Sequence, residues 1–217
     1  MGGTRLNSLE LWQLYTEGKQ TYTQLANQFG CSIKTIQRHL DKYKVRASTI
    51  TPSPVIVLMD TTYFGRGFGV MIFKDSCTGV VLYNRYIKYE TNQLYKDGIK
   101  HLQDAGFEVN DIVCDGRKGL LGYFDIIPMQ MCQFHQIAIV TRYLTRKPKT
   151  KAARALREHT LLLTRTDKES FIGGLQNWHN TFESFLNERT INPLTRKSRY
   201  THKRLRSAYN SLKRNIP

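Results

Sequence analysis

No stretch of the 217-residue chain approaches the roughly 20 consecutive apolar residues of a membrane span. The first residues also lack the apolar core of a signal peptide, and the two absences together predict an intracellular protein with no membrane partner. Cysteine is sparse: Cys31, Cys77, Cys114 and Cys132 are scattered and form no disulfide framework, which suits a reducing compartment. Acid is scarcest relative to its counterpart, with 17 Asp and Glu against 33 Lys and Arg, a formal net charge of +16 and a pI near 9.8. That shortage implies a polyanionic partner, nucleic acid before an anionic membrane surface. A hydrophobic fraction of 40% is ordinary for a globular chain, so wholesale disorder is excluded.

The central feature is the stretch Val55–Gly67, VIVLMDTTYFGRG. Five apolar residues run unbroken into Asp60, the pattern of a strand covered on both faces, and polar and glycine residues follow. Asp60 is therefore expected at the C-terminal end of that strand. A carboxylate there suits metal-assisted phosphoryl transfer, which needs ligands on rigid backbone; the plain alternative is an Asp that opens a turn.

Residues 8–44 hold three short helical patterns. Leu11, Trp12, Leu14 and Tyr15 give the first an apolar side; Leu25, Ala26 and Phe29 precede Gly30 in the second; Ser32 caps a third carrying Ile33, Ile36 and Leu40. Small Ala26, turn-forming Gly30 and apolar Ile36 stand at the offsets of a helix-turn-helix. Lys34, Thr35, Gln37, Arg38 and Lys42 would then face outward, able to reach bases and phosphates in a major groove. The alternative is a small helical bundle with a solvated basic face. The stretch 46–54, with two prolines and no periodicity, reads as a linker between domains.

Beyond Asp60, Phe68–Phe73 and Val80–Tyr89 read as a hairpin, Leu94–Ala105 as a helix and Ile112–Cys114 as a short strand ending at Asp115. GLLGYFD, 119–125, reads as a short helix and Met129–Phe134 as a strand. This order matches a ribonuclease-H-like fold, in which the first and fourth strands are neighbours and would bring Asp60 to Asp115. Two close carboxylates favour a divalent cation between them, and Mg²⁺ ions so held could activate a water or a 3′-hydroxyl. Gly116, Arg117 and Lys118 would admit and position a phosphate backbone.

Together, VLMDTTYFGRG, VCDGRKGL and, 17 residues after the second Asp, Cys132-Gln-Phe-His135 resemble the Mutator-like transposases of bacterial insertion sequences, over nearly the whole chain from Leu9 to Pro217. The resemblance implies an α/β architecture: an N-terminal helix-turn-helix (1–45), the linker (46–54), the front of a ribonuclease-H-like mixed sheet (55–135) and a basic helical insertion (136–217). It further implies Mg²⁺- or Mn²⁺-dependent cleavage and strand transfer of double-stranded DNA at element ends and target. Asp60 and Asp115 match the first two acids of a catalytic DDE triad, and Cys132 and His135 match a C-x₂-H signature. A bacterial, cytoplasmic protein, nucleoid-associated when on DNA, follows from the same likeness, with self-assembly among the possibilities. C-x₂-H alone is half a zinc site, so no zinc is expected and a buried thiol beside a hydrogen-bonded His is the plainer reading.

The last third carries the charge, with 18 Lys and Arg against 5 acids over residues 142–217. Phe171, Leu175, Trp178, Phe182 and Phe185 form one helix face, for which packing is the default role. Asn192–Arg199 reads as a loop and Thr201–Asn215 as a helix, whose Lys203, Arg204 and Arg206 are expected on phosphate. None of Glu158, Glu169, Glu183 or Glu188 aligns with the family's third acid. The expectation is therefore a truncated or partial transposase, or a site completed by a partner chain. The rival is a non-catalytic, transposase-derived protein that occupies element ends and represses transposition. A ribonuclease-H-like nuclease or resolvase would leave the N-terminal motif and C-x₂-H unexplained.

Overall fold

The computed structural model describes residues 6–44, 50–124 and 126–216. The chain divides into two compact units, Met1–Ile50 and Thr51–Pro217, and residues 46–49 of the expected linker lie outside the described residues.

The first unit holds α1 (Ser8–Thr16), α2 (Tyr22–Phe29) and α3 (Ile33–Lys42). Each begins at a polar side chain that satisfies otherwise unpaired backbone donors: Asn7 for α1, Thr21 in a capping box with Gln24 for α2, and Ser32 for α3. Gly30 ends α2 in the left-handed region, φ 61°, where a β-carbon would be strained. Leu11, Leu25, Ala26, Ile36 and Leu40 fill the space between the helices.

In the second unit β1 (Pro54–Phe64), β2 (Phe68–Asp75), β3 (Val81–Ile87), β4 (Glu108–Cys114) and β5 (Met129–Met131) form one mixed sheet in the order β3-β2-β1-β4-β5. The β1–β2 and β2–β3 pairs are antiparallel, while β1–β4 and β4–β5 are parallel. The first and fourth strands are thus neighbours, an arrangement consistent with a ribonuclease-H-like fold. The parallel crossover to β4 runs through α4 (Asn92–Asp104), as parallel pairing demands. Val57, Met59, Phe73, Ile112 and Cys114 are buried on the sheet, and Tyr95, Ile99 and Leu102 of α4 are buried against it. Gly98 marks the closest approach: an added β-carbon would come 2.0 Å from Cζ of Phe73. Ile56, Leu58, Asp60, Ile72 and Val113 alternate with the buried set, lie on the other face and stay half-buried.

From residue 133 the chain is mainly helical: α5 (Gln133–Leu144), α6 (Lys151–Leu161), a 3-10 turn (Leu162–Thr164), α7 (Lys168–Asn187) and α8 (Lys203–Asn215). Between α7 and α8 stands a hairpin of β6 (Arg189–Ile191) and β7 (Ser198–Tyr200). Phe171, Leu175 and Trp178 are buried in a core shared with Val140, Leu156, Leu205 and Leu212, and Phe182 and Phe185 pack on it, so the α7 stripe serves packing. Among the described residues no helix is long and apolar enough to cross a membrane.

Four expectations need correction. Asp60 does not end its strand: β1 continues to Phe64 because β2 goes on pairing with it as far as Phe64↔Phe68. The described part of GLLGYFD is turns rather than helix, since Gly119 takes φ +77° and the segment is too short to nucleate a helix unaided. The last strand stops at Met131, where its partner β4 runs out at Cys114, and Gln133 and Phe134 already belong to α5. Residues 192–199 are not all loop, because Ser198 and Arg199 pair with Ile191 and Thr190.

Candidate functional site

The last paired position between β1 and β4 is Met59 opposite Cys114. Asp60, still on β1, and Asp115, directly after the end of β4, are the next residues along the two chain segments, and adjacent strands lie about 4.8 Å apart. Asp60 lies on the half-buried sheet face, offset by one from the buried Met59, and Asp115 is half-buried just beyond the end of β4. Asp60 Oδ1 accepts from the backbone N–H of Thr61 (2.9 Å) and Asp115 Oδ1 from that of Arg117 (3.3 Å). Among the described residues neither Oδ2 takes a hydrogen bond, and neither carboxylate meets a cationic side chain within salt-bridge range. Two half-buried, uncompensated carboxylates offer free oxygens to a cation. Among the described residues no group of three or more His, Cys, Asp or Glu side chains is arranged to hold a metal ion.

A polar network fixes the loop after Asp115. Arg117 donates through Nε to Asn92 Oδ1 (2.8 Å) and through Nη2 to the Glu90 carbonyl (2.7 Å), while Nη1 lies 3.2 Å from Glu90 Oε2. Asn92 returns a bond from Nδ2 to the Lys118 carbonyl (3.3 Å). The Tyr95 hydroxyl donates to Glu90 Oε1 (2.7 Å) and shares a 2.9 Å bond with Thr61 Oγ1, beside Asp60. Burial pushes the Tyr95 phenol well above its ordinary value, and the charges of Glu90 and Asp115 add to this. Arg117 is therefore committed to holding the loop against the start of α4, whereas Lys118 is exposed. Glu90, Asn92 and Tyr95 were missed from sequence; the signal was YETN, an acid and a helix cap immediately before α4.

Cys132 is the N-cap of α5 without a side-chain capping bond, and its N–H donates to the Cys114 carbonyl (2.8 Å). His135 Nδ1 is buried with no hydrogen-bond partner among the described residues. Burial pushes the Cys114 thiol up to about 12, with Asp115 and Cys132 adding to the effect. The C-terminal end of α8 reaches the same neighbourhood: a β-carbon on Gly116 would meet Met131 at 3.0 Å and Nδ2 of Asn215 at 3.8 Å.

In the first unit Lys34, Thr35, Gln37, Arg38 and Lys42 line one shallow depression on α3 together with Ser32 and Asp41. In the second, Lys203 is exposed, but Arg204 donates to the Arg142 carbonyl (2.6 Å). Arg206 donates to the Leu186 carbonyl and Asn187 Oδ1 (both 3.0 Å). The Tyr200 ring lies between two guanidinium groups, Arg206 at 3.7 Å and Arg189 at 4.4 Å from its centroid. Two of the three expected phosphate contacts are thus also struts that pin the helices and the hairpin.

No protein-family model matches the chain, and no curated protein sequence matches it. Among solved structures, the chain is similar to one in the Drosophila P element transposase strand transfer complex, at 12% identity and TM-score 0.41, covering 98% of this chain. It spans 65% of that transposase chain. It is also similar to a chain in the simian T-cell lymphotropic virus intasome with the PP2A regulatory subunit B56 gamma, at 11% identity and TM-score 0.31, covering 87% of this chain and 72% of that one.

Proposed function

We propose that the chain acts on DNA as a transposase-type protein, with Asp60 and Asp115 as the ligands of a divalent cation, Mg²⁺ or Mn²⁺. The observation that supports the reading is the β1–β4 register, whose last pair, Met59 and Cys114, immediately precedes two acids without a cationic partner among the described residues. Mg²⁺ is commonly held by one or two carboxylates, waters and substrate phosphates, so this pair suits it. The cation would supply Lewis-acid polarisation of the scissile phosphodiester and a water or 3′-hydroxyl activated at neutral pH. The chain's own part is positioning: β1 and β4 fix the carboxylates, and Arg117 ties the loop after Asp115 to α4. Lys118 and Lys203 offer exposed charge to phosphate, with Arg204 contributing where its outer N–H groups are free. The first unit reads as a helix-turn-helix, with α3 entering the major groove through Lys34, Gln37, Arg38 and Lys42. The Mutator-like, insertion-sequence assignment belongs to this proposal, resting on the motifs around Asp60, Asp115, Cys132 and His135.

A second reading, a transposase-derived protein that binds element ends without cutting them, is favoured by the compactness of the first unit, which carries Lys34, Arg38 and Lys42 around one depression on α3. One experiment separates the two. The full chain is incubated with supercoiled plasmid in Mg²⁺ or Mn²⁺ beside the Asp60→Ala and Asp115→Ala variants. Nicking by the parent chain alone, with DNA retention equal in all three, supports catalysis. Retention without nicking in either metal favours the binding protein, and the loss of both overturns the two readings together.

A further inference from the structure

Five aromatic side chains crowd one end of the β1–β2–β3 sheet and are too exposed to belong to the core: Tyr63 (45%), Phe64 (55%), Phe68 (45%), Tyr86 (73%) and Tyr89 (71%). Three of them make a continuous surface. Phe64 stacks on Phe68 at 5.4 Å and 21°, and Phe68 meets Tyr86 at 6.0 Å. Register fixes which way this surface faces. Asp60 opposes Ile72, Thr62 opposes Val70, Phe64 opposes Phe68, and Val70 opposes Tyr86. Directly opposed residues share a face, and so do alternate residues of one strand, so Phe64, Phe68 and Tyr86 lie on the Asp60 side of the sheet. Four residues at about 3.3 Å each separate Asp60 from Phe64, a span of about 13 Å, or roughly four nucleotides stacked at 3.4 Å.

An exposed apolar surface of this kind marks an interaction site. Its charge selects the partner. The charges nearest Phe64, Phe68 and Tyr86 along the chain are positive: Arg66 on the turn between β1 and β2, and Arg85 and Lys88 on either side of Tyr86, with Lys88 Nζ 5.4 Å from the centroid of the Tyr89 ring. A net charge of +16 opposes a second copy of the chain and favours a polyanion. Aromatic faces beside cations are the means by which proteins hold unpaired bases without reading sequence.

We propose that Phe64, Phe68 and Tyr86 are a stacking platform for unpaired bases flanking the phosphodiester at the Asp60–Asp115 pair. The partner is thus DNA locally opened or carrying a single-stranded end. The proposal rests on the reading of the acid pair as a DNA-processing site, and the test keeps the two apart. Full-length chain is titrated, in EDTA so that no cleavage intervenes, onto a duplex with a 3′ single-stranded tail containing 2-aminopurine and onto the blunt duplex. Quenching of the tail base and a preference for the tailed duplex are expected. Phe64→Ala and Tyr86→Ala should each cut that preference roughly 5- to 100-fold, while Tyr86→Phe, which keeps the ring face, retains most of it. Unchanged preference in both alanine variants overturns the platform. So does a parent dimer in sedimentation that these variants dissociate without altering tail affinity, since the patch would then join two copies. In parallel, Asp60→Ala should keep the tail preference. Tail preference without nicking by the parent chain leaves the platform standing and removes the cleavage reading; nicking without tail preference does the reverse.

Discussion

Replacing Gly98 by Ala tests how the sheet is held against its covering helix. In an exposed helix the change would stabilise by about 1 kcal/mol, because glycine has more backbone freedom to lose. Here the new methyl would sit 2.0 Å from Phe73 Cζ and 2.5 and 2.6 Å from Cε2 and Cε1, where ordinary contact begins at 3.4 Å. The Phe73 ring is 0% exposed and is flanked by Tyr83 at 5.5 Å and Tyr95 at 6.3 Å, so it has nowhere to swing. Overpacking of this kind costs about 1–3 kcal/mol and sometimes more, and a clash spread over three ring atoms belongs at the upper end. The expected net loss is about 1–2 kcal/mol, or roughly 2–8 °C in Tm for a chain of this size. Phe73 lies opposite Met59, the residue before Asp60, so the strain should also be felt at the acid pair. Urea unfolding followed by fluorescence in a Trp12→Phe background, where Trp178 reports on the second unit, measures the change. Phe73→Leu in the same chain should recover about 1 kcal/mol or more of it as coupling. A Gly98→Ala chain with a raised urea midpoint would refute the close approach of α4 to β2.

Arg117→Ala should destabilise the second unit by about 1–3 kcal/mol in urea unfolding, because it strands the Glu90 carboxylate and releases the loop after Asp115. Arg117→Lys should restore little, since an ammonium cannot span Glu90 and Asn92 as the guanidinium fork does. With its thiol held near 12, Cys114 should resist alkylation at pH 8 in the native chain while exposed Cys77 is labelled, as mass spectrometry would show. Hydrogen bonds from the Thr78 hydroxyl and N–H hold Asp75 below the usual carboxylate range. Its contribution to stability is therefore present above that range and lost as pH falls through the depressed value. Asp75→Asn should flatten the acid limb of a stability–pH curve and leave the neutral plateau's slope unchanged.

The element order was readable from sequence because its signals are local. An unbroken apolar run marks β1, and Asp115 directly follows β4, so one register later makes neighbours of the strand positions just before two acids 55 residues apart. What sequence hid depends on partners. VLMDTTYF ends as an apolar run at Met59, but β2 supplies pairing to Phe64, and no periodicity reports that. The same extension turns Phe64 and Phe68 from unremarkable hairpin residues into one stacked pair on the Asp60 side. Arg117 and Arg206 looked like phosphate ligands because a basic residue near a site carries no local mark of an internal partner. Glu90 for the one, Leu186 and Asn187 for the other, come from distant segments. The α7 stripe was legible as packing because its 3–4 spacing determines a face whatever that face meets.

The three helices of the first unit are 9, 8 and 10 residues long. Each is shorter than the roughly 12–15 residues a free helix needs in water, so none persists by itself despite good caps. The basic surface on α3 consequently exists only while Leu11, Leu25 and Ile36 are in mutual contact. A protease cut anywhere among these helices would dismantle that basic surface outright, an all-or-none loss in place of graded wear.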